Sequence, residues 1–192
     1  MQNYEFYFII NPELSGDQTK EIVESIKTII TTDFGAENVI ENSEGLKKLS
    51  YLINKHQTGF YTSITFNIND DNTYKVSNFE KKINLIEPII RYILINQTDF
   101  LVQKSKEKLN IVTDITTHRD LNKANAKKKD LATYLGYRVI DFKNIAFLNQ
   151  FTSPYAKIFI KEKTGTSAKS QRKIAQAIKR ARHMALMPFT SR

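Results

Sequence analysis

Cysteine is absent from the 192 residues of this chain. A chain without cysteine has no disulfide framework, no thiolate metal site and no cysteine nucleophile, and it suits a reducing compartment. The sequence also lacks an apolar run of about 18 residues, the length that a membrane-spanning helix needs. No basic leader with a small-residue cleavage site precedes its first strand-like segment, so no secretory signal is predicted. We therefore expect a soluble protein without a membrane partner.

Acidic residues are scarce in the second half of the chain and in excess in the first. Residues 1–103 contain nine Lys or Arg and fourteen Asp or Glu, a net charge of −5. Residues 104–192 contain twenty Lys or Arg and six Asp or Glu, a net charge of +14. This asymmetry indicates two modules, and it predicts a polyanionic partner for the second one.

The first module has the pattern of an α+β fold. The run Tyr4–Ile10 is rich in aromatic and β-branched residues, and residues 60–68 alternate between apolar and polar, so both predict strands. Ser15 and Gln18 fit a capping box, which predicts a helix from there to Phe34. The predicted order is β-α-β-β-α-β, the ferredoxin-like arrangement, with elements at residues 4–10, 15–34, 39–53 (interrupted), 60–68, 76–86 and 89–95.

The second module follows a stretch without periodic apolar residues. Residues 99–138 hold two lysine runs and predict a basic linker. Beyond it, Asp141 fits the N-cap of a short helix, and residues 157–161 fit a brief strand. A final helix should begin at Ser167 or Ser170 and run to the proline near the end of the chain. The predicted parts are a ferredoxin-like domain, a basic linker and a small, mostly helical domain, at residues 1–98, 99–138 and 139–192.

The final helix is amphipathic, and its charged face has a single sign. On a helical wheel the apolar residues fall within one narrow arc, formed by Ile174, Ile178, Ala181 and Ala185. No acid occurs between Ala168 and Ser191, whereas solvated helix faces normally mix signs. A basic stripe along one helix is the electrostatic footprint of nucleic-acid binding. The predicted phosphate contacts are Lys169, Arg172, Lys173, Lys179, Arg180, Arg182 and His183.

A long motif covers this helix and the residues around it. It consists of the runs TGTS, QRKIAQAIKRARH and ALMPF, which start at residues 164, 171 and 185, with IDFK upstream at residue 140. Residues 139–189 therefore resemble bacterial small-subunit ribosomal protein eighteen. Some members of that family bind zinc through cysteines, which are absent here, so no metal and no other cofactor is expected. Lys157 and Lys161 are the further RNA contacts expected in this domain.

The first module carries a second motif. Tyr4-Glu5 opens the first strand and Asn11-Pro12 ends it, and the runs GLKKLSY, GFY and IRYIL start at residues 45, 59 and 90. Residues 1–98 therefore resemble bacterial small-subunit ribosomal protein six. The resemblance implies that Lys47, Lys48 and Arg91 contact RNA. It also implies that the two modules, which are separate proteins that bind one another in bacteria, sit together on the central domain of small-subunit RNA, on the platform.

A stand-alone RNA-recognition module outside the ribosome is the alternative function. That fold shares the ferredoxin-like order and stacks bases on aromatic residues of its third strand. Residues 58–65 keep the glycine and an aromatic residue of its signature but miss most of the rest, and the acidic balance of this half argues against it. A membrane surface is a rival partner for the basic helix, but the chain has no tryptophan to anchor it there.

No catalytic constellation survives inspection. Residues 118–125 match the catalytic-loop pattern of protein kinases. A kinase also needs a glycine-rich phosphate loop and an Asp-Phe-Gly metal site, whereas this chain has six glycines in all and reads Asp141-Phe142-Lys143. We therefore expect no enzymatic activity.

These observations predict a structural constituent of the small ribosomal subunit in which the two resembled proteins form one chain. Its partners would be small-subunit ribosomal RNA and neighbouring small-subunit proteins, and its two domains would dock on each other. It would be located in a cytoplasmic ribosome, with an organellar ribosome as the alternative.

Overall fold

The chain divides into two compact units, Met1–Thr98 and Asp99–Arg192. The computed structural model describes residues 1–69, 76–97 and 140–190. The predicted basic linker and its kinase-like motif lie outside these described residues.

The first unit is a four-stranded antiparallel sheet with two helices. Its elements are β1, α1, β2, β3, α2 and β4, at Gln2–Ile10, Gly16–Phe34, Glu37–Ile53, His56–Ile68, Val76–Ile83 and Ile89–Asn96. The strands lie side by side in the order β2-β3-β1-β4, and every neighbouring pair is antiparallel. This topology confirms the predicted ferredoxin-like order.

The core of this unit lies between one face of the sheet and the two helices. Alternate residues of β1 point to the same face, and those packed in the core are Tyr4, Phe6, Phe8 and Ile10. The helices contribute Val23, Ile26, Ile30, Phe79 and Ile83. The rings of Phe6 and Phe79 meet edge to face with their centroids 5.0 Å apart. Full burial of one such side chain contributes about 1.5–3 kcal/mol, so this layer holds the helices against the sheet.

Helix α1 begins and ends where the sequence predicts. Ser15 is its N-cap: the Oγ of Ser15 accepts a hydrogen bond from the N–H of Gln18, and the Gln18 side chain accepts one from the N–H of Ser15. This reciprocal pair is the predicted capping box. Gly35 ends the helix in the left-handed conformation, with φ of 59°, which glycine adopts at little cost.

Two elements of the first unit differ from their predictions. β2 is one strand, but its pairing with β3 shifts register three times. One shift falls between Ser43 and Gly45, where Gly45 has φ of 76°, so the apparent interruption in the sequence is a bulge. α2 ends at Ile83 because the N–H groups of Leu85 and Ile86 bond to carbonyls only three residues back, which tightens the last turn.

The second unit is helical in its described part. Its elements are α3, α4 and α5, at Ile145–Asn149, Lys161–Thr164 and Ala168–His183. α3 contacts α5. The large side chains buried in the described part of this unit are Phe142, Phe147, Leu148, Phe151, Ile174, Ile178, Met184 and Met187. A small apolar core thus fixes the face that α5 turns away from solvent.

The predicted cap of α3 is wrong. Asn144 is the N-cap, and its Oδ1 accepts from the N–H of Phe147 at 3.1 Å. Asp141 instead accepts from the N–H of Lys143 at 3.1 Å. Its side chain therefore makes a local turn before the helix, a role that aspartate fills as readily as capping.

Two further predictions for this unit need correction. Residues 157–161 form no extended strand: Ile158 makes an isolated bridge to Thr152, and α4 begins at Lys161. α5 ends at His183, earlier than predicted. Ala185 takes a left-handed φ of 52°, and the N–H of Leu186 bonds to a carbonyl within the helix, which stops it before the proline.

Candidate nucleic-acid interface

α5 separates an apolar side from a basic side. Ser167 caps its N-terminus, with Oγ accepting from the N–H of Ser170 at 3.2 Å. The residues that α5 buries within the unit are Ile174, Ala177, Ile178 and Ala181. Ala185, just beyond the helix, is also fully buried. The predicted apolar arc is thus confirmed, and the cations of α5 lie on the remaining surface of the helix.

The predicted phosphate contacts on α5 fall into two groups by exposure. The exposed side chains are Lys169, Arg172, Lys179 and His183. The half-buried side chains are Lys173, Arg180 and Arg182. No Asp or Glu occurs in the helix. The exposed group meets solvent along the whole length of the helix, so it offers an extended row of positive charge to a polyanion.

Arg180 and Arg182 lie in less polar surroundings than the exposed cations. Burial lowers the pKa of both guanidinium groups from their usual value, because a desolvated cation is less stable than a hydrated one. Arginine nevertheless stays charged in proteins. The Nη2 of Arg182 also donates to the carbonyl oxygen of Ala156. Arg182 therefore supports a neighbouring turn, and its predicted contact with phosphate stays a prediction.

The segment before α5 carries the other predicted cations of this unit. Lys157 and Lys161 are both exposed. Lys163 is not among the predicted contacts, and its Nζ lies 3.8 Å from the centroid of the Phe159 ring. An ammonium group over an aromatic face is held by a cation–π contact. In the sequence, the position of Lys163 two residues after Lys161 indicates a second cation in this segment, although the acid Glu162 between them weakens that indication.

Hydrogen bonds tie this segment to α5. The Nε2 of Gln171 donates to the carbonyl oxygen of Phe159 at 2.7 Å, and the Oγ1 of Thr166 donates to the Oε1 of Gln171. Thr164 and Thr166 are buried, and their hydroxyl oxygens lie 2.9 Å apart. The basic segment and the basic helix are consequently parts of one rigid surface.

The candidates in the first unit have other contacts. The Nζ of Lys47 lies 2.8 Å from Glu44 Oε2 and 5.9 Å from the centroid of the Tyr61 ring. The Nη1 of Arg91 donates to the Tyr51 hydroxyl at 2.7 Å. Lys48 is exposed on β2. The carboxylate of Glu44 offsets the charge of Lys47, and Tyr51 holds the guanidinium of Arg91. Lys48 is therefore the strongest of the three predicted RNA contacts in this unit.

The aromatic residues of β3 do not suit base stacking. Tyr61 is fully buried, as is Tyr7, and their ring centroids lie 5.7 Å apart. Phe60 packs against the core cluster of the sheet and helices. A base can stack only on a ring that solvent can reach, so the arrangement does not favour the alternative RNA-recognition function.

Neither a membrane span nor a metal centre is found among the described residues. No helix there is both long and apolar enough to cross a membrane. Across the same ranges, no cluster of three or more His, Asp or Glu is placed to hold a metal ion.

Family models match both units. The model described as ribosomal protein S6 matches residues 3–96, and the model described as ribosomal protein S18 matches residues 136–187. The small ribosomal subunit protein bS6 of Fusobacterium nucleatum is 36% identical over 97 residues, which are 50% of this chain and 99% of that protein. The bS6 protein of Parabacteroides distasonis is 32% identical over 122 residues, 64% of this chain and 100% of that protein.

A solved structure is also similar, the crystal structure of 30S ribosomal protein S6 from Thermotoga maritima. It is 27% identical to this chain, covers 56% of this chain and 97% of its own, and gives a TM-score of 0.48. The two family matches do not overlap, and each lies within one compact unit. The chain therefore belongs to the ribosomal protein S6 family, and it is a fusion in which a ribosomal protein S18 segment follows the S6 segment.

Proposed function

We propose that this fusion occupies the platform of the small ribosomal subunit, where it supplies both proteins of a bound pair in one chain. As a member of these families, the chain is a structural, non-catalytic constituent of the small ribosomal subunit that binds ribosomal RNA and neighbouring proteins. The finer claims are that it binds the central domain of the RNA and that its units associate with each other. A cytoplasmic location, as opposed to an organellar one, stays a prediction that fractionation of the source cells would test.

The strongly basic balance of the second unit supports the RNA-binding part of this proposal. Residues 140–190 contain ten Lys or Arg but only two acids, Asp141 and Glu162. Neither acid lies on α5. Binding to phosphates releases condensed counterions and is therefore strongly salt dependent. We infer that α5 supplies most of the RNA affinity of the chain.

Competition between transcripts tests which RNA the chain recognises. The intact chain would be titrated against the central domain of small-subunit RNA and against a length-matched transcript of another domain of the same RNA. Both transcripts carry similar charge, so the difference in Kd reports recognition beyond phosphate attraction. We expect the central domain to bind at least about tenfold more tightly, a difference of about 1.4 kcal/mol in binding free energy. Equal affinity at every salt concentration would contradict the proposed site.

Opposite net charge supports association of the two units within one chain. Residues 1–103 have a net charge of −5 and residues 104–192 have +14, and such complementarity favours encounter. Covalent connection raises the effective concentration of one unit at the other, up to about the millimolar range. Even a weak pair would then be mostly closed.

A cleavable chain tests this association. A protease site between Ala124 and Lys127 would be cut, and the halves followed by gel filtration and by pull-down on the central-domain RNA. We expect the halves to separate in free solution and to reunite on the RNA, since a domain of about fifty residues offers only a small interface. Halves that separate in both conditions would show that the junction merely links two independent binders.

A further inference from the structure

A small cleft opens beside the basic helix in the second unit. It has a volume of about 200 Å³. Its walls include Asn149, Pro154, Ala156, Arg182, Met187 and Pro188. Sites for drug-sized molecules have volumes of about 300–1,000 Å³, so this one suits a smaller group, such as a single ring system.

One wall of the cleft is a rigid turn. The N–H of Ser153 donates to the carbonyl of Lys157 at 2.8 Å, and the N–H of Lys157 donates to the Oγ of Ser153 at 3.0 Å. Ala156 within this turn has a left-handed φ of 56°, a conformation that a non-glycine residue rarely adopts. Its carbonyl accepts from Arg182. The turn therefore keeps a strained shape, as is common at binding sites.

The chemistry of the walls fits a flat aromatic heterocycle. Met187 and the two prolines supply apolar surface, while Asn149 and Arg182 supply polar groups at the edge. Exposed aromatic rings follow the prolines in sequence: Tyr155 is 75% exposed and Phe189 is 56% exposed. Proteins recognise unpaired RNA bases by stacking on aromatic rings or on arginine guanidinium planes and by hydrogen bonds to the base edge. Of these groups, Arg182 lines the cleft, and the two exposed rings follow its prolines in sequence.

The position of the cleft on the unit agrees with an RNA ligand. Arg182 follows the exposed Lys179 by three residues on α5, and residues at this spacing are neighbours on a helix surface. A strand whose phosphates meet the basic helix therefore passes beside the cleft. An isolated pocket far from positive charge would offer no such path.

We propose that the cleft receives the base of one unpaired nucleotide of small-subunit ribosomal RNA. This inference rests on the proposed function, because it requires the unit to bind that RNA. It adds a base-reading site to a surface that otherwise contacts only phosphates.

Chemical probing of bases tests the proposal with the intact chain and the central-domain transcript. Asn149→Phe and Pro188→Phe fill the cleft from different walls, and both positions are exposed, so the fold tolerates the changes. Ile160→Phe is the matched control, because Ile160 is 65% exposed in the same unit and does not line the cleft. We expect both filling variants to bind about tenfold more weakly, the loss of one stacked base. They should also lose protection of a single base that the wild type and the control protect.

The outcomes separate this inference from the proposed function. If the wild-type chain does not bind the transcript, the proposed function fails. If the wild type binds but both filling variants keep its affinity and every base protection, the cleft holds no base and the inference is overturned. Filling variants that bind the RNA normally but fail to join small subunits would assign the cleft to a protein side chain, which also overturns it.

Discussion

At the residue scale, Gly59 leaves no room on the sheet for a side chain of its own. A Cβ at this position would clash with Cγ2 of Ile9, and it would lie 3.5 Å from the carbonyl oxygen of Ile10 and 3.8 Å from Cδ2 of Leu49. Ile9 is fully buried and has no room to withdraw. The glycine that opens the GFY run is thus required by packing.

Gly59→Ala should destabilise the first unit by about 1–3 kcal/mol, the usual cost of overpacking. In a unit of this size that cost lowers the thermal midpoint by several degrees. Gly16→Ala is the control, because no atom lies within 4 Å of its added Cβ. The control should be neutral or stabilising, by up to about 1 kcal/mol. Equal midpoints for the two variants would contradict the packing argument.

Two buried tyrosines in the same unit should make its stability depend on pH in the alkaline range. Burial raises the pKa of Tyr7 and of Tyr61 above the usual value, and for Tyr7 its hydrogen bond to Glu44 adds to the effect. A folded-state pKa above the unfolded value of about 10 gives stability that is present below pH 10 and lost as pH rises. The unfolding free energy should therefore decline above about pH 10.

Tyr7→Phe isolates the contribution of one of these hydroxyl groups. The variant should lose about 1 kcal/mol at neutral pH with its hydrogen bond, and it should show a smaller decline in stability above about pH 10. Denaturant titrations at pH 7 and at several alkaline values measure both effects. Tyr155→Phe, at an exposed ring, serves as the control. A decline as steep as that of the wild type would argue against the role of Tyr7.

At the element scale, α5 buries its apolar side within the unit and carries the proposed RNA-binding side chains on its other side. The apolar side of α5 is buried, its Lys169, Arg172 and Lys179 are exposed, and the helix contains no Asp or Glu. Replacing exposed cations should therefore weaken RNA binding without unfolding the unit. The half-buried Arg182 is different, since its guanidinium supports the turn at Ala156.

Changing Lys169, Arg172 and Lys179 together to Gln should weaken RNA binding and flatten its salt dependence. A plot of log K against the logarithm of the salt concentration has a negative slope, and each lost phosphate contact reduces its magnitude by up to about 0.9. Lys20, Lys55 and Lys81 changed to Gln provide the control, because these lysines are exposed in the first unit and the net charge changes equally. Filter binding across a salt series measures the slopes. The same loss in both triple variants would mean that only total charge matters.

Sequence signals predict elements well where the deciding groups are local. The cap at Ser15 is predicted because its partner, Gln18, is three residues away. The cap of α3 is not, because Asp141 and Asn144 offer the same chemistry and only the folded backbone chooses between them. Periodicity likewise predicts which side of α5 is buried.

Contacts between residues that are far apart in the sequence cannot be predicted from local sequence patterns. Arg91 and Tyr51 are 40 residues apart, and Arg182 and Ala156 are 26 apart. Nothing in the local sequence distinguishes these arginines from the exposed cations. The cleft beside α5 has the same origin, because its walls come from two separate segments, residues 149–156 and 182–188.

At the scale of the whole molecule, the uneven charge assigns the expected RNA binding to the second unit. The first unit has its own core and an acidic balance. Residues 1–103 expressed alone should therefore fold but be poorly retained on central-domain RNA. Circular dichroism and filter binding check the two parts of this prediction. Tight, base-selective binding by the fragment would instead favour the RNA-recognition alternative.

The central claim is that one chain serves as two proteins of the small ribosomal subunit. Sedimentation of the tagged, full-length chain in its source cells, under conditions that separate the two ribosomal subunits, tests it most directly. We predict that the uncleaved chain migrates with the small subunit, at one copy per subunit. A chain that stays at the top of the gradient or migrates with the large subunit would contradict the claim.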